Sequence, residues 1–174
     1  MTGKKRRVVL WLLGVLLICA MSGAIASAEE VGGGKYLPGM TVEGTKLTLG
    51  ENAFSPNYGI SVYGDYLAEG GCSITRTEHF IATIDGYTAA YRTCDELYLG
   101  LYMDRLEDDG TWHTVYSKEV TGEDCYHLAY STKVFVKPGY YYRMRAGHIA
   151  RFEDIMESNI SSTNGIYFGE GGDY

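Results

Sequence analysis

The segment Glu96–Leu106 limits most narrowly what this chain can fold into. Leu97, Leu99, Leu101 and Met103 stand at every second position, with Tyr98, Gly100 and Tyr102 between them. Period two places the four apolar side chains on one face of a strand, whereas a helix would scatter them around its circumference. Glu107-Asp108-Asp109-Gly110 follows and reads as a hairpin turn, Asp-Gly being a strong signal. The returning strand, Thr111–Val120, carries Trp112, Thr114 and Tyr116 on one parity and His113, Val115 and Ser117 on the other. Gly122-Glu123-Asp124 is expected to break it, and Tyr126–Val136 to form the next strand, ended by Lys137-Pro138-Gly139. Upstream, Cys72 and Ile74 alternate with Ser73 and Thr75. Phe80–Ile84 is a short apolar run, Asp85-Gly86 carries a turn signal, and Thr88–Thr93 reads as another strand.

The run Tyr140-Tyr141-Tyr142-Arg143-Met144-Arg145-Ala146 alternates again. Tyr140, Tyr142, Met144 and Ala146 are expected inside, with Tyr141, Arg143 and Arg145 outside. A Pro-Gly turn followed by such tyrosines resembles the penultimate strand of fibronectin-type sandwiches, where a Tyr hydroxyl bonds back to the preceding corner. Asn159–Tyr167 reads as a closing strand, while Arg151–Glu157 is compatible with loop, helical turn or strand. About seven short strands with turns between them make the expected fold all-β: an antiparallel, immunoglobulin- or fibronectin-III-like β-sandwich.

The amino-terminal end is of another kind. Lys4, Lys5, Arg6 and Arg7 precede the apolar stretch Val8–Ile25, and Ala26-Ser27-Ala28 supplies small residues for a peptidase. These are the three regions of a secretory signal peptide, with cleavage expected after Ala28 and a secreted or cell-surface product. The expected organisation is a signal peptide over 1–28, a flexible Gly-rich lead-in over 29–58 that is compatible with a short strand around Val42–Leu49, the sandwich over 59–168, and an acidic tail over 169–174. The whole chain has 15 Lys and Arg against 22 Asp and Glu. Losing the four leader bases leaves eleven, a net charge of −11. That balance argues against nucleic acid, whose affinity rests on clustered bases, and against an anionic membrane surface once the leader is gone.

Chemistry-bearing patterns are sparse. The histidines His79, His113, His127 and His148 include no pair at i, i+2 or i, i+4, so no metal site is expected, and no cofactor. Gly59-Ile60-Ser61-Val62-Tyr63-Gly64 misses the spacing of a nucleophile elbow, and Asp95-Glu96 beside Cys94 opposes thiolate formation. Glu107-Asp108-Asp109 offers hard oxygens to calcium but fits no EF-hand spacing; a solvated hairpin tip is the expectation. Cys72, Cys94 and Cys125 follow the leader; they are compatible with three small buried hydrophobes or with one bridge and a free thiol, which three pairings allow, Cys72–Cys94 being the one first expected.

Gly71-Cys72-Ser73-Ile74, Ala90-Tyr91-Arg92-Thr93, Leu101-Tyr102 and Gly139-Tyr140-Tyr141-Tyr142-Arg143-Met144-Arg145, with His148 after them, occur in that order. Through them Ser61–Ile166 resembles a family of small exported proteins from Gram-positive, largely anaerobic bacteria, classed as a domain of unknown function. The resemblance implies a signal peptide and a β-rich domain; it brings no activity and no catalytic residues. The acids of Glu107–Asp109 and Glu153–Glu157 depart from it.

The abundance of tyrosine is the remaining clue. All 16 tyrosines follow the leader, and an apolar ring with a polar tip suits surfaces that bind sugars or proteins. Tyr91, Tyr98, Tyr102, Tyr116, Tyr141 and Trp112 are candidates for an exposed aromatic platform, and Arg143 and Arg145 are among few positive charges. Tyr102, Trp112, Tyr141, Arg143 and Arg145 are therefore the expected binding residues of a non-enzymatic module for a cell-envelope or host glycan or protein. A small secreted hydrolase and a secreted inhibitor or effector are the alternatives.

Overall fold

The computed structural model describes residues 35–55 and 64–169. The expected signal peptide, the start of the lead-in, the region around Ser61 and the acidic tail beyond Gly169 lie outside the described residues. The described chain is all-β: β1 (Thr41–Val42), β2 (Thr45–Thr48), β3 (Asn52–Phe54), β4 (Leu67–Glu78), β5 (Ile81–Leu106), β6 (Trp112–Phe135), β7 (Tyr140–Phe152), β8 (Ile155–Ser162) and β9 (Gly165–Phe168). Hydrogen bonds join them in the order β1-β2-β9-β7-β5-β4-β3, with β6 beside β5 and β8 beside β7. The β2–β9 pair is parallel and the others are antiparallel. In place of two separate stacked sheets, the described strands form one mixed sheet curled into a half-barrel.

The curl comes from β5 and β6. One edge of β5 is taken by β6 along both halves, and the other is shared: Leu67–Glu78 pairs with the first half and Tyr142–Arg151 with the second. Between the halves the β5–β6 register shifts, from Ala89↔His127 to Cys94↔Cys125. Before the shift the even positions Ala82, Ile84, Gly86, Thr88 and Ala90 are buried; after it, the odd positions Leu97, Leu99, Leu101 and Met103 are. A bulge reverses strand parity, so both apolar sets stay on the concave side of the bent ribbon. β4 then lies against β7 and β8 although it pairs with neither.

Three sequence expectations change here. Asp85-Gly86 is inside β5, because a Cβ on Gly86 would stand 2.4 Å from Leu101 Cδ2 and 3.3 Å from the Gly71 carbonyl oxygen. Glycine there permits close approach of the two halves and makes no turn. The turn falls instead at His79-Phe80, between β4 and β5. Gly122-Glu123-Asp124 does not end β6; Asp124 takes φ 49° opposite the bulge and the strand continues. The lead-in does carry the short strand read around Val42–Leu49, as β2, but that strand is built into the sheet, with Leu47 wholly buried beside β9. The β1–β2 turn is Glu43-Gly44, both at positive φ, as a tight two-residue hairpin requires.

Other expectations hold. Glu107–Gly110 turns the chain between β5 and β6, with Glu107 N–H donating to the Thr111 carbonyl at 2.9 Å. Arg151–Glu157 resolves into the end of β7, a turn with Glu153 at φ 52°, and the start of β8. Tyr142 makes the anticipated corner: its hydroxyl donates to the Lys137 carbonyl at 2.8 Å and accepts from Lys137 N–H at 2.9 Å. The main core joins both halves, setting Cys72, Ile74, Ala82 and Ile84 against Leu99, Leu101, Met103, Tyr142, Met144 and Phe168.

Gly86→Ala is expected to lower stability by about 1–3 kcal/mol in urea denaturation, the usual cost of overpacking a tight core. Gly147→Ala, with nothing within 4 Å of the new methyl group, is expected to raise stability by about 0.5–1 kcal/mol in the same measurement.

Candidate functional site

The convex face of β5 and β7 collects the polar residues that alternate with the core. Paired residues on neighbouring strands share a face, so Tyr98, Gly100, Tyr102 and Asp104 of β5 lie beside Ile149, Gly147, Arg145 and Arg143 of β7. Asp104 is the hub. Its side chain is 1% exposed, and its carboxylate accepts from Arg143 Nε at 3.1 Å, Arg145 Nε at 2.6 Å, Arg145 Nη2 at 3.0 Å and Thr114 Oγ1 at 2.8 Å. Burial by itself raises the carboxyl pKa. The hydrogen bonds from Arg145 and Thr114, the Arg145 charge and the Arg143 bond outweigh it and hold the group below the usual carboxylate range.

Each arginine is also placed against an aromatic ring. Arg143 lies 4.4 Å from the Trp112 centroid and bonds Thr45 Oγ1; Arg145 lies 5.7 Å from the Tyr102 centroid. Trp112 in turn donates its indole N–H to the Val42 carbonyl at 3.3 Å. At this end the face is roofed by the β1–β2 hairpin, and Leu47, Leu106, Tyr141 and Tyr167 form a second small core. Tyr141 was expected on an exposed platform. It is 4% exposed and packs on Tyr167 at 5.0 Å, because the lead-in covers it.

Beyond Asp104 the face opens. Gly100 and Gly147 are directly opposite one another, and Ile160 of β8 sits beside Gly147 with 82% exposure. Tyr98 leans over Gly100, where a Cβ would lie 2.6 Å from its hydroxyl, and that hydroxyl is 3.5 Å from the Tyr102 hydroxyl. Gly147 is bare, with nothing within 4 Å of an added Cβ. Arg145, 45% exposed, overlooks the same patch. The structure brings Tyr102, Trp112, Arg143 and Arg145 to one face and divides them between its two ends. Trp112 and Arg143 belong to the roofed end, Tyr102 and Arg145 to the open one.

Sequence reasoning missed Asp104 as organiser and the Gly100–Gly147 pair. Both depend on the β5–β7 register, which no local motif reveals. The acidic tip is occupied internally: Glu107 pairs with Arg105 at 2.6 Å, and Asp109 accepts from Thr111 N–H at 2.9 Å. Cys72 and Cys94, the pair first expected to bridge, lie in separate apolar clusters. Cys94 is instead opposite Cys125.

His148 fills the space over Gly70, fully buried between the halves. Thr88 Oγ1 donates to the Tyr98 carbonyl at 3.0 Å and so accepts from His148 Nδ1, also at 3.0 Å. Nε2 is left to accept from Ser161 Oγ at 2.8 Å, and that oxygen lies 3.4 Å from Cys72 Sγ. Burial pushes the imidazole down to about 4, against an opposing backbone bond at Tyr87, and burial pushes the Cys72 thiol up to about 12 despite its Ser161 contact.

The fold and this face define a single-sheet β domain with an aromatic and arginine-bearing convex surface. By sequence the chain belongs to the family of unknown function DUF6147, whose model matches residues 49–166. No curated protein and no solved structure matches the chain significantly.

Asp104→Asn leaves two arginines without their counter-charge and is expected to cost about 3 kcal/mol of stability, measured by denaturant unfolding. His148 remains neutral when folded to lower pH than when unfolded, so the unfolded state takes up the proton first. Stability is therefore complete above about pH 6.5 and is lost as pH falls towards about 4. The loss over that window is expected to be about 3 kcal/mol, and His148→Gln is expected to flatten it in the same pH-dependent melts.

Proposed function

We propose that this is an exported, non-enzymatic binding module, and that the open part of the convex face takes a neutral glycan of a cell envelope or host surface. The observation that carries the reading is Gly147. It lies bare in the middle of a long strand, beside Gly100 and between Tyr102, Arg145 and Ile160. Interior glycine weakens a strand and often marks where another molecule approaches the backbone. Aromatic rings offer flat apolar surface to the C–H faces of a sugar, and guanidinium N–H groups offer donors to its hydroxyls. The net charge of −11 expected without the leader supports a neutral ligand over an anionic one.

Export rests on the basic, apolar and small-residue regions of 1–28. The likeness to an immunoglobulin or fibronectin-III sandwich draws its support from the Tyr142 corner and from two sheet halves that face each other. Binding without chemistry is supported by the state of the buried polar groups. Asp104 is locked as an ionised acceptor, and His148 is sealed from solvent with both ring nitrogens engaged.

A glycan array probed with protein from expression of the full chain is expected to yield neutral oligosaccharide ligands. Tyr102→Ala and Gly147→Thr are each expected to weaken the best of them at least about tenfold, with the unfolding midpoint of Gly147→Thr no lower than that of the parent. Binding that survives both substitutions places the ligand elsewhere. Capture of proteins only, with an array that stays blank, replaces the glycan by a protein partner.

A further inference from the structure

We propose that Cys94 and Cys125 form a cross-strand disulfide that locks the bend of the β5–β6 ribbon. The two residues are direct partners across the antiparallel ladder, at the position where pairing resumes after the register shift. Residues opposite one another on antiparallel strands have Cα atoms about 4.5–5.5 Å apart, inside the range that a disulfide spans. Their side chains share one apolar cluster with Leu67, Ala90, Leu97 and Ala150, so both point to the same side of the ribbon. Gly122 adds a local accommodation: a Cβ there would stand 2.9 Å from Cys125 Sγ, and glycine leaves the sulfur its room. Cys72 sits apart in the main core, its thiol against Ser161.

The oxidant is a small-molecule disulfide such as glutathione disulfide. Cys125, partly exposed, loses its proton and attacks one glutathione sulfur, expelling one glutathione thiolate and leaving a mixed disulfide. Cys94, 1% exposed and adjacent, then loses its proton and displaces the second glutathione. One S–S bond breaks and one forms, and the two electrons from the cysteines leave on two glutathione molecules, which take up the two protons.

The full chain, reduced and then exchanged into a series of reduced and oxidised glutathione buffers, is alkylated and mapped by mass spectrometry. The expected product is the peptide pair joined through Cys94 and Cys125, with Cys72 alkylated only after unfolding. Oxidation is expected to shift the unfolding equilibrium towards the native state by about a hundredfold, and Cys125→Ser to abolish both the joined peptide and the shift. Cys94 and Cys125 recovered as separate alkylated or glutathionylated peptides at the most oxidising ratio, or a joined peptide containing Cys72, overturns the assignment.

Discussion

Everything in this molecule depends on the β5–β6 ribbon bending without exposing its apolar side. A long two-stranded ribbon cannot bury a face on its own. Here one ribbon supplies both walls of the core. The register shift between Ala89 and Cys94 reverses the parity of β5, which keeps Ile84 and Leu101 pointing towards each other from opposite halves. Without that reversal, one half would turn its apolar set to water. Across the open edge, Tyr116 and Tyr130, from the two ends of β6, bring their hydroxyls to 3.5 Å. Side chains thus bridge this edge where, among the described residues, β6 pairs with β5 alone.

The bend also explains why polar groups are buried where they are. His148 lies where β4 crosses β7, over a glycine that leaves it space, and its two ring nitrogens tie β5 to β8 through Thr88 and Ser161. Such a network is favourable only while fully satisfied and neutral. On the opposite face Asp104 does comparable work with charge. It fixes Arg143 under the hairpin roof and Arg145 at the edge of the open patch, so an arginine that would otherwise be mobile is held against Tyr102. A side chain already immobilised gives up less entropy when it meets a ligand.

How much of this was legible depended on range. Period-two alternation identified the inward residues of Glu96–Leu106 and of Tyr140–Ala146, and the Pro138-Gly139 turn with Tyr142 announced its corner, since each is a property of consecutive residues. The Asp85-Gly86 signal misled, because a glycine needed for contact with Leu101 has the same local appearance as one needed for a turn. Trp112, Tyr102, Arg143 and Arg145 were recognisable as a polar and aromatic set. Their division into roofed and open parts was not, because the roof comes from residues 35–48, far away in sequence and poor in periodicity. The β5–β7 register, which sets Asp104 among the arginines and Gly100 beside Gly147, is equally non-local.

The two glycines on the convex face differ in what the fold asks of them. Gly100 is required by its neighbour, since Tyr98 lies across it and a methyl group would strike the ring. Gly147 answers to no such neighbour: a Cβ there meets nothing within 4 Å, its backbone is extended in β7, and any residue would fit. Glycine in that position forgoes about 0.5–1 kcal/mol of strand stability relative to alanine. Packing gives no return for that loss, whereas a ligand lying flat against the strand, as proposed above, would. Its backbone approach would run between Tyr102 and Ile160, beneath the guanidinium that Asp104 holds in place. The residue that contributes least to the fold is thus the one on which the proposed binding surface rests most directly.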